Sequence, residues 1–156
     1  MRVYLDTSAL VKRYCEEEGS EVVNEVFESD NEIITSYWTL AEAIAAIDKK
    51  VAKRQISEEE RDFVISVLFS DVLIRVTFIK ISDEFIEAVL ERILAYHLSA
   101  DDALQLFSCS VALSPIFLAA DKSLIRAAKE EGLKAFDVEI TNEGEILRRL
   151  LAGEDD

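Results

Sequence analysis

Four acidic residues stand where their carboxylates could act together, and they are Asp6, Glu42, Asp102 and Asp121. Asp6 and Asp121 each follow a short apolar run, Asp102 opens a helical stretch, and Glu42 is the only charged residue in 37–47. An ionised carboxylate on an apolar helix face costs several kcal/mol unless a cation or strong donors compensate it. Oxygen ligands select hard cations such as Mg²⁺ or Mn²⁺, which can activate water and stabilise a leaving oxygen. The pattern therefore predicts a divalent-metal site suited to phosphodiester hydrolysis.

Helix capping is the alternative explanation for three of these acids. Asp6 and Asp121 could each cap the helix that follows, and Asp102 could be the acidic member of a capping box opened by Ser99. Taken singly, capping is the favoured interpretation for these three residues. Glu42 lies in mid-helix and has no capping role. The metal hypothesis therefore depends on all four acids converging, because their mutual repulsion would then call for divalent ions.

The elements that must position these acids can be predicted from periodicity. Short β-branched or aromatic runs predict strands at 2–5, 33–35, 76–79, 116–119 and, more weakly, 134–137. Helical patterns cover 20–28, 38–53, 58–73, 83–96, 101–113, 122–131 and 143–151. Their alternation predicts a three-layer α/β/α sandwich with a central, mainly parallel sheet. Such sheets carry their sites at the carboxyl ends of strands, so Asp6 and Asp121 should face the same edge.

The composition indicates one domain. Half of the 156 residues are apolar, and one proline and four glycines suggest no linker and no glycine-rich phosphate loop. We expect a single domain over 1–152 and a disordered acidic tail at 153–156. Cys15 and Cys109 match no metal or redox spacing and are expected to be free thiols. No window approaches the roughly 18 uncharged residues of a membrane span, so we expect a soluble, cytoplasmic protein.

The charge balance is unusual for a protein that binds nucleic acid. There are 32 acidic against 17 basic residues, for a formal net charge of -15. A polyanion would be repelled by this average field. Either RNA is met through a local basic strip and metal ions, or RNA is not the partner.

An ordered set of motifs resembles a known family. The motifs are LDTSALVK at 5–12, LAE at 40–42, ADDALQL at 100–106 and AADKSL at 119–124. Each motif alone is weak, but their order and spacing from Arg2 to about Asp137 resemble the PIN domain in its VapC-type form. The resemblance implies a metal-dependent endoribonuclease, the toxin of a toxin-antitoxin pair. It also implies Mg²⁺ or Mn²⁺ as cofactor, a homodimer, and a small antitoxin whose C-terminal segment enters the active-site groove.

The resemblance assigns roles to the acids. The first, second and fourth acids of the family correspond to Asp6, Glu42 and Asp121. The third is followed by Ala-Leu, which selects Asp102 rather than Asp101. The small hydroxyl residue after the first acid corresponds to Thr7 or Ser8, and we expect Ser8 to be the hydrogen-bonding partner of the metal site.

Two positions depart from the family pattern. Ala120 stands where Thr or Ser commonly precedes the fourth acid, and Gln105 stands where many relatives carry a histidine. Neither change removes a proposed ligand. Both affect groups that orient the ligands, so rate and metal preference are left open.

Basic residues near the acids have two interpretations. Lys12 and Arg13 follow Asp6 by one to two helical turns and could hold an RNA phosphate, or could form a solvated helix face. Lys49, Lys50, Lys53 and Arg54 form the densest basic cluster, which could steer RNA or bind an antitoxin carboxylate. For this second cluster we favour a plain surface role.

Two other functions are alternatives to metal-dependent RNA cleavage. The acidic pocket could belong to a catalytically weak interaction module that receives an arginine-bearing partner, and the net charge motivates this hypothesis. A receiver-like domain phosphorylated on a strand-end aspartate is disfavoured. It would need a second acid directly before Asp6 and a lysine directly after a late strand, and the sequence offers neither.

Overall fold

The protein forms a five-stranded parallel sheet within residues 1–154, which are the residues that this computed structural model describes. The strands are β1 (Arg2–Leu5), β2 (Glu32–Ser36), β3 (Val76–Ile79), β4 (Ile116–Ala119) and β5 (Lys134–Asp137). Their order in the sheet is β3-β2-β1-β4-β5. Every neighbouring pair is parallel. With helices on both faces, the predicted α/β/α sandwich is confirmed.

The helices follow the predicted alternation. They are α1 (Thr7–Leu10), α2 (Ser20–Glu28), α3 (Trp38–Ala52), α4 (Glu58–Arg75), α5 (Phe85–Tyr96), α6 (Ala100–Val111), α7 (Lys122–Glu130) and α8 (Thr141–Ala152), with a 3₁₀ turn at Val11–Arg13. Helix α4 runs two residues further than predicted and leads directly into β3. Nothing there breaks the helix, and the Arg75 guanidinium donates to the carbonyl of Phe27 (2.6 Å).

Side chains on the two faces of the sheet belong to two separate hydrophobic cores. On one face Tyr4 packs with Phe117 and with residues of α6 and α7, its ring stacked 5.7 Å from that of Phe117. On the other face Val3 and Leu5 pack with residues of α1, α2 and α8. A third cluster joins α3 to α4 through Ile47. Because a strand presents successive side chains to opposite faces, a buried parallel strand needs apolar residues throughout.

The strand order reverses beside β1. The chain moves from β1 to β2 and β3 on one side, then returns to place β4 on the other side of β1. The amide of Asp6 donates to the carbonyl of Leu118 (2.9 Å) and continues the ladder one residue past β1. Ligand sites of parallel sheets lie at such a reversal, outside the carboxyl ends of the strands.

Three further expectations concern the whole chain. Both cysteines are free thiols, with Cys109 buried and Cys15 half-buried. In residues 1–154 no helix has the length and apolarity that crossing a membrane requires. Helix α8 ends at Ala152 with Gly153 as its C-cap, and of the expected acidic tail, residues 155 and 156 lie outside the described residues.

Candidate active site

A cavity of about 640 Å³ opens at the carboxyl ends of β1 and β4. All four predicted acids line it, namely Asp6, Glu42, Asp102 and Asp121. They come from four places in the chain, two strand ends and two helices. The cavity lies where the strand order reverses, so the fold brings the acids to one place.

Asp6 is held by the residue two positions further on. Its Oδ2 accepts from the Ser8 amide (2.9 Å) and the Ser8 hydroxyl (2.5 Å), which caps α1. The same hydroxyl accepts from the amide of Ala120 (2.8 Å) and thereby ties β1 to the end of β4. Burial raises the pKa of Asp6 to about 6, against the lowering effect of the Ser8 hydrogen bonds, and the charge of Asp102 adds to the rise.

Glu42 lies beside Asp6 in a polar pocket. Its Oε2 accepts from the Thr7 hydroxyl (2.9 Å) and from the Gln105 amide nitrogen (2.5 Å). Burial raises the pKa of Glu42 to about 7, and the charge of Asp6 contributes to the rise, while both hydrogen bonds act to lower it. Thr7 and Ser8, the two candidates for the small hydroxyl residue, therefore each hydrogen-bond to one acid, although Ser8 was the expected partner.

Gln105 is the buried residue that joins the polar groups of this pocket. It is fully buried, and its Oε1 accepts from the Tyr4 hydroxyl (2.7 Å). Its amide nitrogen also donates to Thr39 (2.9 Å). A buried amide bonded at both ends is fixed in orientation, since leaving either end unpaired would cost about 1–3 kcal/mol. Gln105, which departs from the family pattern, therefore helps to orient Glu42.

Asp121 caps α7, whereas Asp102 lies in the first turn of α6, which Ser99 caps, and both acids face the cavity. Asp102 Oδ2 accepts from the Ser99 hydroxyl (2.8 Å), while the Asp102 amide donates back to Ser99 (3.1 Å). Burial raises the pKa of Asp102, and the charge of Asp121 raises it further. Asp121 Oδ1 accepts from the Leu124 amide (2.8 Å) at the start of α7. Capping and site formation, alternatives at the level of sequence, are compatible for Asp6 and Asp121. At Asp102 the expected capping box is incomplete, because its carboxylate accepts from the Ser99 hydroxyl in place of the Ser99 amide.

Asp101 has a different environment from its neighbour Asp102. It is exposed, does not line the cavity, and its Oδ1 accepts from the indole nitrogen of Trp38 (3.0 Å). The structure therefore places Asp102 rather than Asp101 among the cavity acids.

The donor set of the cavity suits a hard divalent cation. Each of the four carboxylates uses one oxygen for a protein hydrogen bond, and the second oxygen makes none within the described residues. In residues 1–154, however, no three acidic, histidine or cysteine side chains already stand together as a metal centre. The acids line one cavity without converging on one point. Their mutual repulsion and their separate protein donors both favour this spread.

The two basic residues after Asp6 lie in different places. Lys12 lines the cavity although only 4 % exposed, and its Nζ lies 2.7 Å from Glu139 and 3.9 Å from Glu17. Arg13 is not part of the cavity lining. It pairs with Asp71 (3.4 Å), and its guanidinium lies 5.3 Å from the ring centroid of Phe27.

The basic cluster of α3 also reaches the cavity. Lys49, Lys50 and Lys53 line it, whereas Arg54, the fourth residue of the cluster, does not. The sequence favours a plain surface role for them, because helical periodicity alone does not say which face of α3 meets the cavity.

Comparison with known proteins agrees with this geometry. The crystal structure of PAE2754 from Pyrobaculum aerophilum superposes with a TM-score of 0.64 at 20% identity, over 98% of this chain and 99% of that chain. A likeness at this identity establishes the fold alone. No curated protein matches the sequence. The profile described as PIN domain matches residues 3–130, which contain all four cavity acids. The chain therefore belongs to the PIN domain family, whose members are typically nucleases that use divalent metals.

Proposed function

We propose that this protein is a metal-dependent endoribonuclease that hydrolyses RNA phosphodiester bonds. The observation that carries the proposal is the meeting of Asp6, Glu42, Asp102 and Asp121 around one cavity at the strand reversal. Membership of the PIN family supports a nuclease. The choice of RNA rests on the VapC-type motifs of the sequence.

The four carboxylates are the residues that would hold Mg²⁺ or Mn²⁺, each through the oxygen that makes no hydrogen bond to the protein. When bound, the cation supplies Lewis acidity, neutralising charge on a phosphate and acidifying a water molecule. The protein contributes the orientation of its ligands. Ser8 fixes Asp6, while Thr7 and Gln105 fix Glu42.

The raised pKa values describe the cavity before a cation enters. Asp6 and Glu42 are held at about 6 and about 7, chiefly because burial disfavours their charged forms. A divalent cation favours those charged forms and so reverses the effect. Metal binding should therefore release protons near neutral pH and strengthen as the pH rises.

We further propose a toxin role with a small antitoxin partner and a homodimeric state, as the VapC-type motifs imply. An antitoxin segment that entered the cavity would meet carboxylates, for which an arginine side chain is the matching group. The net charge of -15 would favour such a basic segment.

A catalytically weak interaction module is the second candidate. The observation in its favour is the spread of the four acids, which do not form a ready-made metal centre in residues 1–154. In that case an arginine-bearing partner would neutralise the cavity in place of a metal. The two functions differ in whether the protein, freed of partners, binds Mn²⁺ and cuts RNA.

The test is cleavage of RNA by the purified protein with Mg²⁺ or Mn²⁺, compared among three variants. Asp6→Asn and Asp102→Asn should each lower kcat by about two orders of magnitude or more, because each removes a metal ligand worth several kcal/mol. Asp101→Asn is the matched control, since Asp101 is adjacent in sequence but faces Trp38 outside the cavity. It should cleave nearly as well as the unmodified chain.

Metal binding can be followed separately from activity. Trp38 is the only tryptophan of the chain and contacts Asp101 beside the cavity, so its fluorescence should be quenched by Mn²⁺. Quenching should weaken in Asp102→Asn and persist in Asp101→Asn. Absence of both cleavage and quenching, with tight capture of an arginine-rich peptide, would refute the nuclease and favour the interaction module. Equal loss of cleavage in Asp101→Asn would refute the assignment of Asp102.

A further inference from the structure

One face of α3 connects the acids to the basic cluster. The cavity-lining residues of this segment are Glu42, Ala45, Ala46, Lys49, Lys50 and Lys53. Their spacing of three, four, seven, eight and eleven residues from Glu42 keeps them close to one side of a helix. Alanine side chains separate Glu42 from Lys49, so nothing bulky stands between the acids and the lysines. The cavity surface between the carboxylates and the lysines is therefore formed by small side chains.

The lysines of the cavity differ in how they are paired. Lys50 lies 3.6 Å from Glu17, and Glu17 also faces Lys12 at 3.9 Å. These two lysines are thereby occupied by the protein itself. Lys49 and Lys53 are exposed, and neither makes a salt bridge or side-chain hydrogen bond within residues 1–154. They are the cations on this rim whose charge is free for a ligand.

We propose that Lys49 and Lys53 bind backbone phosphates of a single-stranded nucleic acid, to one side of the phosphodiester that the carboxylates cleave. The proposal rests on the nuclease function proposed above and adds the direction in which the strand lies. With a rise of about 1.5 Å per residue, Lys49 stands about 10 Å along α3 from Glu42, and Lys53, the residue that follows the end of α3, stands about 16 Å from it. Successive phosphates of an extended strand can therefore meet them in turn.

Size and charge both favour a single strand over a duplex or an acidic protein. A cavity of about 640 Å³ is comparable to a small-molecule site and holds a few nucleotides, not a helix of two strands. A lysine ammonium is a point charge that suits isolated phosphates, whereas planar carboxylates are better matched by arginine.

Phosphate binding by these two lysines would also explain how a chain of strongly negative net charge can bind RNA. A chain of net charge -15 repels RNA at long range, so local binding of phosphates must supply the attraction. Each bound phosphate that releases counterions adds about 0.7 to the slope of log affinity against log salt for a single strand. Neutralising both lysines should therefore reduce this slope by about 1.4.

The experiment measures binding of a labelled single-stranded RNA by fluorescence anisotropy between about 50 and 200 mM KCl. Every protein carries Asp102→Asn, so that the RNA stays intact. The test variant adds Lys49→Gln and Lys53→Gln. The matched control adds Lys80→Gln and Lys134→Gln, which remove the same charge from exposed positions outside the cavity. We expect the test variant to bind about tenfold more weakly at low salt, with a slope about 1.4 smaller, and the control to change little.

Equal slopes in the test and control proteins would overturn the proposal. So would a test variant that binds RNA normally but loses binding to polyglutamate, which would assign the lysines to a carboxylate partner. Cleavage assays on chains with Asp102 intact separate this proposal from the nuclease function. A smaller slope without any cleavage would support phosphate binding by the lysines and reject the nuclease, whereas normal cleavage with unchanged slopes would reject phosphate binding alone.

Discussion

At the scale of single residues, the state of Glu42 depends on opposing effects. Burial raises its pKa to about 7, while hydrogen bonds from Thr7 and Gln105 lower it. Both donors bond to the same oxygen of Glu42, Thr7 at 2.9 Å and Gln105 at 2.5 Å. Without this amide, Glu42 would keep its burial and lose a donor that favours the ionised form. The proposed metal ligand should then be harder to ionise.

We therefore expect Gln105→Leu to move the acidic limb of the pH profile of kcat/KM to higher pH. Loss of a donor to the carboxylate raises the pKa of Glu42, so a higher pH is needed to ionise it for metal binding. The free energy of unfolding should also fall, by about 1–3 kcal/mol, because buried polar groups lose their partner. Cleavage rates and Mn²⁺ quenching of Trp38, each measured across pH, report the first effect, and urea unfolding reports the second.

Tyr4→Phe is the control for Gln105→Leu. It removes the hydroxyl that donates to Gln105 (2.7 Å) but leaves the amide next to Glu42 in place. We expect Tyr4→Phe to lose a comparable amount of stability but to shift the acidic limb of the pH profile much less than Gln105→Leu does. Identical limbs in the two variants would mean that Gln105 supports the fold without positioning Glu42.

The sequence predicted four acids that the structure brings to one cavity, but it did not predict the residues that surround them. The positions of Asp6 and Asp121 follow from strand ends, which local patterns reveal. The network of Gln105 joins residues far apart in the chain, and no local pattern indicates a partner 63 residues from Glu42. The same limit applies to Lys49 and Arg13. Which face of a helix meets a cavity is decided by packing.

At the scale of elements, the predicted strands and helices are found with small displacements of their ends. The spacing of apolar residues and the polar residues between apolar runs suffice to predict these elements, because each element buries one stripe or run of its own residues. The order of strands in the sheet was not predicted. The order depends on which edge of β1 pairs with β4 and which with β2. The buried residues of β1 are apolar throughout, so they do not indicate which strand pairs with which edge.

The start of α2 depends on a close approach of backbones. Gly19 has a φ of +86°, and a Cβ added there would lie 2.7 Å from the carbonyl oxygen of Val138. Gly19→Ala should therefore lower the free energy of unfolding by about 3 kcal/mol, combining left-handed strain with an overlap that must displace the β5 to α8 loop. Because Glu139 in that loop holds Lys12 in the cavity wall (2.7 Å), RNA cleavage should fall as well. Thermal or urea unfolding and the cleavage assay measure the two effects.

Gly132→Ala is the matched control for this substitution. Gly132 has nearly the same φ, +85°, and no atom within 4 Å of an added Cβ. It should show the left-handed strain alone, about 1–2 kcal/mol, with cleavage unaffected. If both alanine variants lost the same stability and kept the same activity, the close approach of Gly19 to Val138 would have no role in holding the cavity wall.

At the scale of the whole molecule, the surface carries an apolar stripe that the single chain leaves uncovered. Ile86, Leu90 and Leu94 recur every four residues along α5 and are exposed, Leu94 to 77 %. Side chains at this spacing share one helix face. A large contiguous apolar patch on a folded domain is a common sign of an interaction site. In a chain of net charge -15, a self-complementary apolar contact would have to outweigh the repulsion between copies.

If the proposed homodimer forms through this stripe, Leu90→Glu combined with Leu94→Glu should convert it to a monomer, because two carboxylates per chain would be buried without partners. Light scattering coupled to gel filtration would measure the mass. High salt should strengthen the association of the unmodified chain, since it screens the repulsion between acidic copies. Leu73→Glu combined with Ile74→Glu is the matched control, as Leu73 (75 %) and Ile74 (83 %) are at least as exposed but lie on α4. An unmodified chain that stays monomeric at high salt, or a double variant that remains dimeric, would exclude α5 as the contact between copies.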